Sequence, residues 1–110
     1  MIIEVRNYKI KPGLRDEFIK LFESRAVPVQ QSIGIKVFGP LLDLEDPNAF
    51  VFLRAFPSME EREHMKARFY EGPIWKDELE AKVMPMIDSY SSVLAETSPG
   101  CVSFDAMTTA

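Results

Sequence analysis

The stretch from Ala49 to Pro57 is apolar on both of its alternating faces, and this restricts the folds open to the chain. Aromatic and β-branched residues between turn-forming residues predict a strand, since the run is too short for a typical helix. Because side chains alternate along a strand, one face carries Phe50, Phe52, Arg54 and Phe56, and the other carries Val51, Leu53 and Ala55. A strand that is apolar on both faces needs cover on both, which predicts a central position in a sheet.

The segment before this strand predicts a strand and then a helix. Residues 2–10 read as a strand that ends at the turn-forming residues Lys11-Pro12-Gly13. From Leu14 the apolar residues recur every three or four positions, which is typical of one face of a helix. Proline disfavours helical geometry at the residue before it, so Pro28 predicts that this helix stops or kinks at Val27.

Residues 35–44 predict a second strand, which opens after Gly34. Within it stands the pair Gly39-Pro40, and proline has no amide proton to give to a central ladder. We therefore expect a bulge at this pair and an edge position for the strand.

A second helix is predicted after the central strand. Ser58 and Glu61 have the spacing of a capping box, in which they satisfy the first free amides of a helix. The pair Gly72-Pro73 predicts a break, after which helical periodicity resumes. Residues 87–96 predict the last strand.

This order of elements predicts an α+β fold of the ferredoxin-like βαββαβ type, a four-stranded antiparallel sheet with helices on one face. The first and third strands would be central. The opposite face would lack cover within the chain, and an exposed apolar patch of several hundred Å² marks an interaction site. We expect a second copy to cover it in a homodimer, with an interface formed by Glu4, Arg6, Phe50, Phe52, Arg54 and Phe56.

The chain of 110 residues fits one domain, which we place at residues 1–96 with a tail at 97–110. The net charge of −4 predicts no nucleic acid partner, because affinity for a phosphate backbone needs a concentrated positive surface. We expect no membrane partner, since there is no leader and no apolar run near the ~20 residues that span a bilayer. The single Cys101 is compatible with a reducing compartment, and we expect a cytoplasmic protein.

Two charged side chains of the second helix are candidates for chemistry. His64 is the one histidine of the chain and so a candidate acid or base, but its helical position points it towards solvent. Arg62 falls inside the apolar stripe, where a guanidinium is costly unless an acid or an anionic ligand meets it. Two readings stay open for Arg62: a salt bridge, or an anchor for a carboxylate or phosphate between helices and sheet.

Further candidates surround a predicted pocket between sheet and helices. Tyr70 and Trp75 flank the break at 72–73, where aromatic side chains wall a pocket or simply fill the core. Asn7 is predicted on the helix-facing side of the first strand, where a buried amide needs partners. Tyr8 shares the other face of that strand with Glu4 and Arg6, and these groups with Arg54 either pair with one another or line a cavity.

The sequence carries no motif that fixes a reaction. We find no His/Cys/Asp cluster with metal spacing, no glycine-rich phosphate loop and no nucleophile elbow. We therefore predict no metal site and no bound cofactor, and the sequence leaves open whether the protein is an enzyme.

Several stretches carry a family resemblance: Glu4-Val5-Arg6-Asn7-Tyr8-Lys9-Ile10-Lys11-Pro12-Gly13, Phe38-Gly39-Pro40, Phe50-Val51-Phe52-Leu53-Arg54-Ala55-Phe56-Pro57-Ser58-Met59-Glu60-Glu61-Arg62, and Trp75-Lys76 after Gly72-Pro73. Together they resemble the NIPSNAP family, which lies within the dimeric α+β barrel superfamily. The resemblance covers nearly all of residues 1–96. It implies the same sheet and the same dimer, but it implies no reaction.

The superfamily supplies the enzymatic alternative. Some of its members are cofactor-free monooxygenases of aromatic substrates, and others degrade haem with an asparagine, a tryptophan and a histidine. Asn7, Trp75 and His64 resemble that trio, with the histidine and tryptophan in reverse order. We thus carry three hypotheses: a homodimer that binds a small hydrophobic or anionic ligand, a monooxygenase-like or isomerase-like enzyme, and an assembly protein without a pocket.

Overall fold

The computed structural model describes residues 1–98; the predicted tail from 99 to 110 lies outside the described residues. The strands are β1 (Ile2–Ile10), β2 (Lys36–Leu42), β3 (Ala49–Phe56) and β4 (Ile87–Glu96). The helices are α1 (Arg15–Leu21), α2 (Val27–Ile33), α3 (Met59–Tyr70) and α4 (Glu80–Val83), with π-helical turns at Phe22–Ala26 and Ile74–Leu79 and a 3₁₀ turn at Met84–Met86.

The strands form one antiparallel sheet in the order β2-β3-β1-β4. The first and third strands are central, as predicted, and Ala49–Phe56 is the strand that is apolar on both faces. The βαββαβ order and the ferredoxin-like α+β fold are thereby confirmed.

The helical path after β1 continues past Pro28, so of the predicted stop or kink at Val27 the stop is wrong. The hydrogen-bond pattern widens to a π-helical turn at Phe22–Ala26, and Pro28 then stands in the first turn of α2, where its missing amide proton costs little. The helix ends at Gly34, whose φ of 107° is the left-handed geometry that favours glycine.

Strand β2 is an edge strand with an irregular register between Phe38 and Leu41, which confirms the predicted bulge at Gly39-Pro40. Gly39 has a φ of 138°, and a Cβ there would lie 2.7 Å from the Cβ of Phe52. The glycine thus allows the edge strand to approach Phe52 closely.

Helix α3 begins where the capping pattern places it. Ser58 has an extended backbone, and its Oγ accepts a hydrogen bond from the amide of Glu61 at 3.1 Å. The helix ends before Gly72, and the π-helical turn that follows places Trp75 against Phe69 and Tyr70.

The helices cover the face of the sheet that was predicted to be bare. Phe50 and Phe52 pack on Phe18 and Phe22 of the first helix, with ring centroids about 5 Å apart. The prediction that Glu4, Arg6, Phe50, Phe52, Arg54 and Phe56 form the dimer interface is therefore wrong, since these side chains face the chain's own helices. Both faces of β3 are apolar, so the sequence pattern did not distinguish them.

The other face of the sheet, which we call the outer face, carries Ile3, Val5, Asn7, Val51, Leu53, Ala55 and Val93. Its apolar cluster consists of residues of β1 to β3 and Met1, with no helical residue among those described. Val93 on β4 is 56% exposed. Within residues 1–98 the sheet therefore has an apolar face without helices. On β3 this face carries Val51, Leu53 and Ala55, and not the phenylalanines that were predicted to form it.

Candidate functional site

A cavity of about 470 Å³ lies between the sheet and the helices. This volume is within the range of small-molecule sites, ~300–1,000 Å³. Its aromatic walls come from every layer of the fold: Tyr8, Phe18, Phe22, Phe52, Phe69, Tyr70, Trp75 and Tyr90. Its polar lining comprises Arg6, Gln30, Arg54, Lys66 and Glu80. The cavity is thus an apolar chamber with basic groups on one side.

A buried carboxylate organises those basic groups. Glu4 is 1% exposed, and its register partner across β1 and β3 is Arg54, also 1% exposed. Arg54 donates to Glu4 Oε1 from Nε at 3.0 Å and from Nη2 at 2.7 Å. Arg62 donates to Oε2 at 2.6 Å, and Lys66 lies 3.4 Å from the same oxygen. The carboxylate is therefore bound from both neighbouring elements, β3 and α3.

The electrostatics of this cluster favour the ionised carboxylate. Burial raises the pKa of Glu4, but the charge and hydrogen bonds of Arg54, the hydrogen bond of Arg62 and the charge of Lys66 outweigh it and lower the pKa to about 2. For Arg54, burial lowers the pKa, while Tyr70 and Glu4 together raise it above its usual value. Both partners thus stay charged at neutral pH.

Two tyrosine hydroxyls accept hydrogen bonds from arginines at the cavity wall. Arg6 donates to the Tyr8 hydroxyl from Nε at 3.2 Å and from Nη2 at 2.9 Å. Arg54 donates from Nη1 to the Tyr70 hydroxyl at 3.0 Å and to Gln30 Oε1 at 3.0 Å. Burial raises the pKa of Tyr8 more than Arg6 lowers it, so Tyr8 remains a protonated phenol.

A further part of the wall is formed around Trp75. Its ring lies 5.1 Å from Tyr70 and 5.5 Å from Phe69, and its Nε1 donates to Glu80 Oε2 at 3.2 Å. Glu80 is exposed at the rim and is the one carboxylate in the cavity lining among the described residues. The turn 74–79 therefore places an aromatic ring against Tyr70, next to the basic groups.

The structure brings together some of the predicted site residues. Tyr8, Tyr70 and Trp75 line the cavity. Arg62 does not line it, because its guanidinium is used by Glu4 and by Glu63, so the salt-bridge reading of Arg62 fits the structure.

The other two predicted residues lie elsewhere. Asn7 pairs with Val51 and Ser91 on the outer face, so its predicted position on the helix-facing side is wrong. His64 is exposed in a shallow depression with Arg68 and Glu71, which confirms its predicted outward direction. The trio of Asn7, Trp75 and His64 therefore does not converge on one site.

Sequence reasoning missed Lys66, Gln30, Tyr90 and Glu80 as lining residues and placed Arg6 and Arg54 on the wrong side of the sheet. A usable signal was present on β1 and β3. A glutamate and an arginine that stand opposite each other on central strands can each offset the desolvation cost of the other, and the helices bury this face of the sheet. Phe50, Phe52 and Phe56 lie on the same face of β3 as Arg54, so they lie under the helices as well.

Two features are absent from the described residues. No group of three or more His, Cys, Asp or Glu side chains within residues 1–98 could hold a metal ion. No described helix has the length and apolar character to cross a membrane.

Comparisons with known proteins agree with this fold. The sequence model of the NIPSNAP family matches residues 3–99. A NIPSNAP domain protein from Burkholderia xenovorans is 22% identical with a TM-score of 0.81, over 94% of this chain and 100% of that one. A NIPSNAP family protein with unknown function from Agrobacterium tumefaciens is 27% identical with a TM-score of 0.76, over 90% and 92%.

A structure described as an antibiotic biosynthesis monooxygenase is more distant, at 19% identity and a TM-score of 0.66, over 90% of this chain and 100% of that one. At this identity the likeness shows the fold alone. No curated protein matches the chain. The family match spans nearly the whole described chain, and the protein therefore belongs to the NIPSNAP family.

Proposed function

We propose that the protein binds a small, largely apolar molecule in the cavity between its sheet and its helices. The observation that carries the proposal is the cavity itself, about 470 Å³ in volume and walled mainly by aromatic rings from both layers. A ligand that displaces water from such walls gains about 25 cal/mol for each Å² of apolar surface removed from water. The assembly-protein hypothesis predicts no pocket, so a cavity of this size supports a binding role over that hypothesis.

A neutral fluorescent probe, N-phenyl-1-naphthylamine, tests this proposal. Trp75 is the single tryptophan of the sequence and lies in the cavity wall, so its emission should also change on binding. Ala26 lines the cavity, and Ala26→Phe should fill part of it and weaken probe binding by about tenfold or more.

Ala81→Phe is the matched control, because Ala81 is an exposed helical residue outside the lining. It should bind the probe like the wild type. Equal binding by a folded Ala26→Phe variant would contradict the proposal, as would an absence of binding by the wild-type protein.

We also propose that the protein acts as a homodimer through its outer face. Val5, Leu53 and Val93 lie on this face, where no described helix covers them. A flat face of aliphatic side chains packs well on a second sheet at ~10 Å, and a second copy offers an identical face. Stacking of two outer faces would leave the cavity of each protomer intact behind its own sheet.

Val93→Arg tests the dimer because Val93 is 56% exposed within the chain, so the change should spare the protomer's core. Leu44→Arg is the control, since Leu44 is 100% exposed in the loop before β3. Light scattering after gel filtration should give a dimer for the wild type and Leu44→Arg and a monomer for Val93→Arg. A monomeric wild type would exclude this interface.

A monooxygenase-like or isomerase-like enzyme is the second candidate function. It is favoured by the Arg6–Tyr8 and Arg54–Tyr70 pairs, because such donors stabilise negative charge that develops on an aromatic substrate. Oxygen uptake with a panel of quinols, compared between wild type and Tyr8→Phe, tests the oxygenase form. Uptake that is absent, or unchanged by Tyr8→Phe, would count against this candidate.

A further inference from the structure

We infer that the cavity selects an aromatic carboxylate, whose acid group is held at the basic side of the chamber by Lys66, Tyr8, Tyr70 and Arg54. This inference rests on the proposed binding function and adds the chemical class of the ligand. Its basis is a surplus of positive charge beside the cavity, together with hydroxyl protons that have no acceptor within residues 1–98.

The surplus follows from the ion pairs. Within 4 Å of the Glu4 carboxylate lie the charged groups of Arg6 at 3.9 Å, Arg54 at 2.7 Å, Arg62 at 2.6 Å and Lys66 at 3.4 Å. The one further carboxylate paired to this cluster among the described residues is that of Glu63, which binds Arg62 and is 71% exposed. Four cations thus face two carboxylates, and one of these is at the surface.

The unbalanced cations are on the cavity side. Arg6, Arg54 and Lys66 line the chamber, whereas Arg62, which has two acidic partners, does not. The remaining hydrogen bonds of Arg6 and Arg54 go to neutral groups, namely Tyr8, Tyr70 and Gln30. A partly buried surplus charge is costly, and an anion that enters the chamber would offset that cost.

The tyrosine hydroxyls are oriented as donors by the same arginines. The Tyr8 oxygen accepts two N–H groups of Arg6, which occupy both of its lone pairs, so its own proton must point elsewhere. The Tyr70 oxygen accepts from Arg54, and neither hydroxyl proton meets an acceptor among residues 1–98. A carboxylate has two acceptor oxygens, which suits this pair of donors together with the Lys66 ammonium group.

The rest of the chamber defines the body of the ligand. Beyond the basic side, the walls are the rings of Phe22, Phe69 and Trp75 with Met84 and Ile87. Rings favour a flat aromatic body through offset and edge-to-face contacts. The acid group and the aromatic body together describe an aromatic carboxylate. A cationic ligand would meet three cations against the one exposed carboxylate of Glu80, and a neutral ligand would leave the donors without a charged acceptor.

Two isosteric probes test the inference: 2-naphthoate, which is anionic, and 2-naphthamide, which is neutral. Each is titrated by calorimetry at pH 7.5 and constant ionic strength. We expect 2-naphthoate to bind about tenfold more tightly or better, since hydrogen bonds to a charged acceptor are roughly twice as strong as neutral ones. The preference should weaken as salt is added.

Lys66→Met should reduce the preference for naphthoate over naphthamide to about threefold or less, because it removes one cation at the acid end and keeps the side-chain length. Lys20→Met is the matched control, because Lys20 is an exposed helical lysine outside the lining and the substitution removes one positive charge, as Lys66→Met does. Tyr70→Phe is the second variant, because it keeps the ring and removes only the hydroxyl. It should also reduce the preference.

The outcomes separate this inference from the proposed function. Equal affinity for naphthoate and naphthamide would overturn the inference and leave the cavity as a binding site. Tighter binding of 2-naphthyl phosphate than of naphthoate would overturn the carboxylate class. An absence of binding by every naphthalene, together with an absence of binding by the neutral probe, would overturn both.

Discussion

Replacement of Glu4 by Gln is the strictest test of the buried charge cluster. Glutamine keeps the size of the side chain and removes the charge, so Arg54 would lie buried opposite a neutral amide. The structure supplies a magnitude: protonation of Glu4, whose pKa falls from 4.5 to about 2, costs about 3 kcal/mol. The removal of one partner from a buried ion pair typically costs a similar amount, about 3–5 kcal/mol.

Urea denaturation at pH 7 and a fixed protein concentration measures this change. We expect Glu4→Gln to lower the free energy of unfolding by about 3 kcal/mol. Glu63→Gln is the control, because Glu63 pairs with Arg62 but is 71% exposed, and surface substitutions of this kind change stability by about 0.5 kcal/mol or less. A loss below about 1 kcal/mol for Glu4→Gln would refute the assignment of Glu4 as the centre of the cluster.

The pH dependence gives an independent check. The pKa of Glu4 is lower in the folded protein than in the unfolded chain, so its stabilisation is complete above about pH 4.5 and is lost as the pH falls towards 2. Glu4→Gln should lack this part of the acid destabilisation. Equal acid slopes for wild type and variant would contradict the lowered pKa.

Three further predictions concern single positions. Gly39→Ala should destabilise the protein by about 2 kcal/mol, since the new Cβ would lie 2.7 Å from the Cβ of Phe52; urea denaturation measures it. Burial raises the pKa of Tyr8, so an ultraviolet titration of the wild type should show a phenol that ionises above pH 10, and Tyr8→Phe should lack it. The stability that the wild type gains from keeping this phenol protonated should be lost as the pH rises through the pKa of Tyr8 in the folded protein. Ser58→Ala should cost about 1 kcal/mol through the lost helix cap, while Ser92→Ala, at an exposed strand position, should change thermal unfolding little.

The elements of this fold could be predicted because each has a local signal. The capping residue Ser58 fixes the start of α3, and the pair Gly39-Pro40 fixes the irregular edge of β2. Pro28 indicated an irregular point in the helix but did not show whether the helix stops or continues there. A proline is tolerated in the first turn of a helical segment, and the π-helical turn Phe22–Ala26 comes directly before that segment.

The site could not be predicted to the same extent, because it depends on which face of the sheet the helices cover. Period-two alternation assigns residues to two faces without saying which face is inside. Both faces of β3 are apolar, so hydrophobicity alone does not decide, and a single inversion moved Asn7, Arg6 and Arg54 together to the wrong side. The error is therefore one error and not several independent ones.

Charge complementarity between elements resolves the choice of face. Arg62 and Lys66 are one helical turn apart on α3, on the stripe that must face the sheet, and they need an acid beneath them. Glu4 is the acid on the central strand β1 that both reach, and its parity brings Arg6 and Tyr8 under the helices. The same cations that identify the buried face outnumber the acid that pairs with them. The feature that orients the sheet is thus also the feature on which the proposed preference for an anion rests.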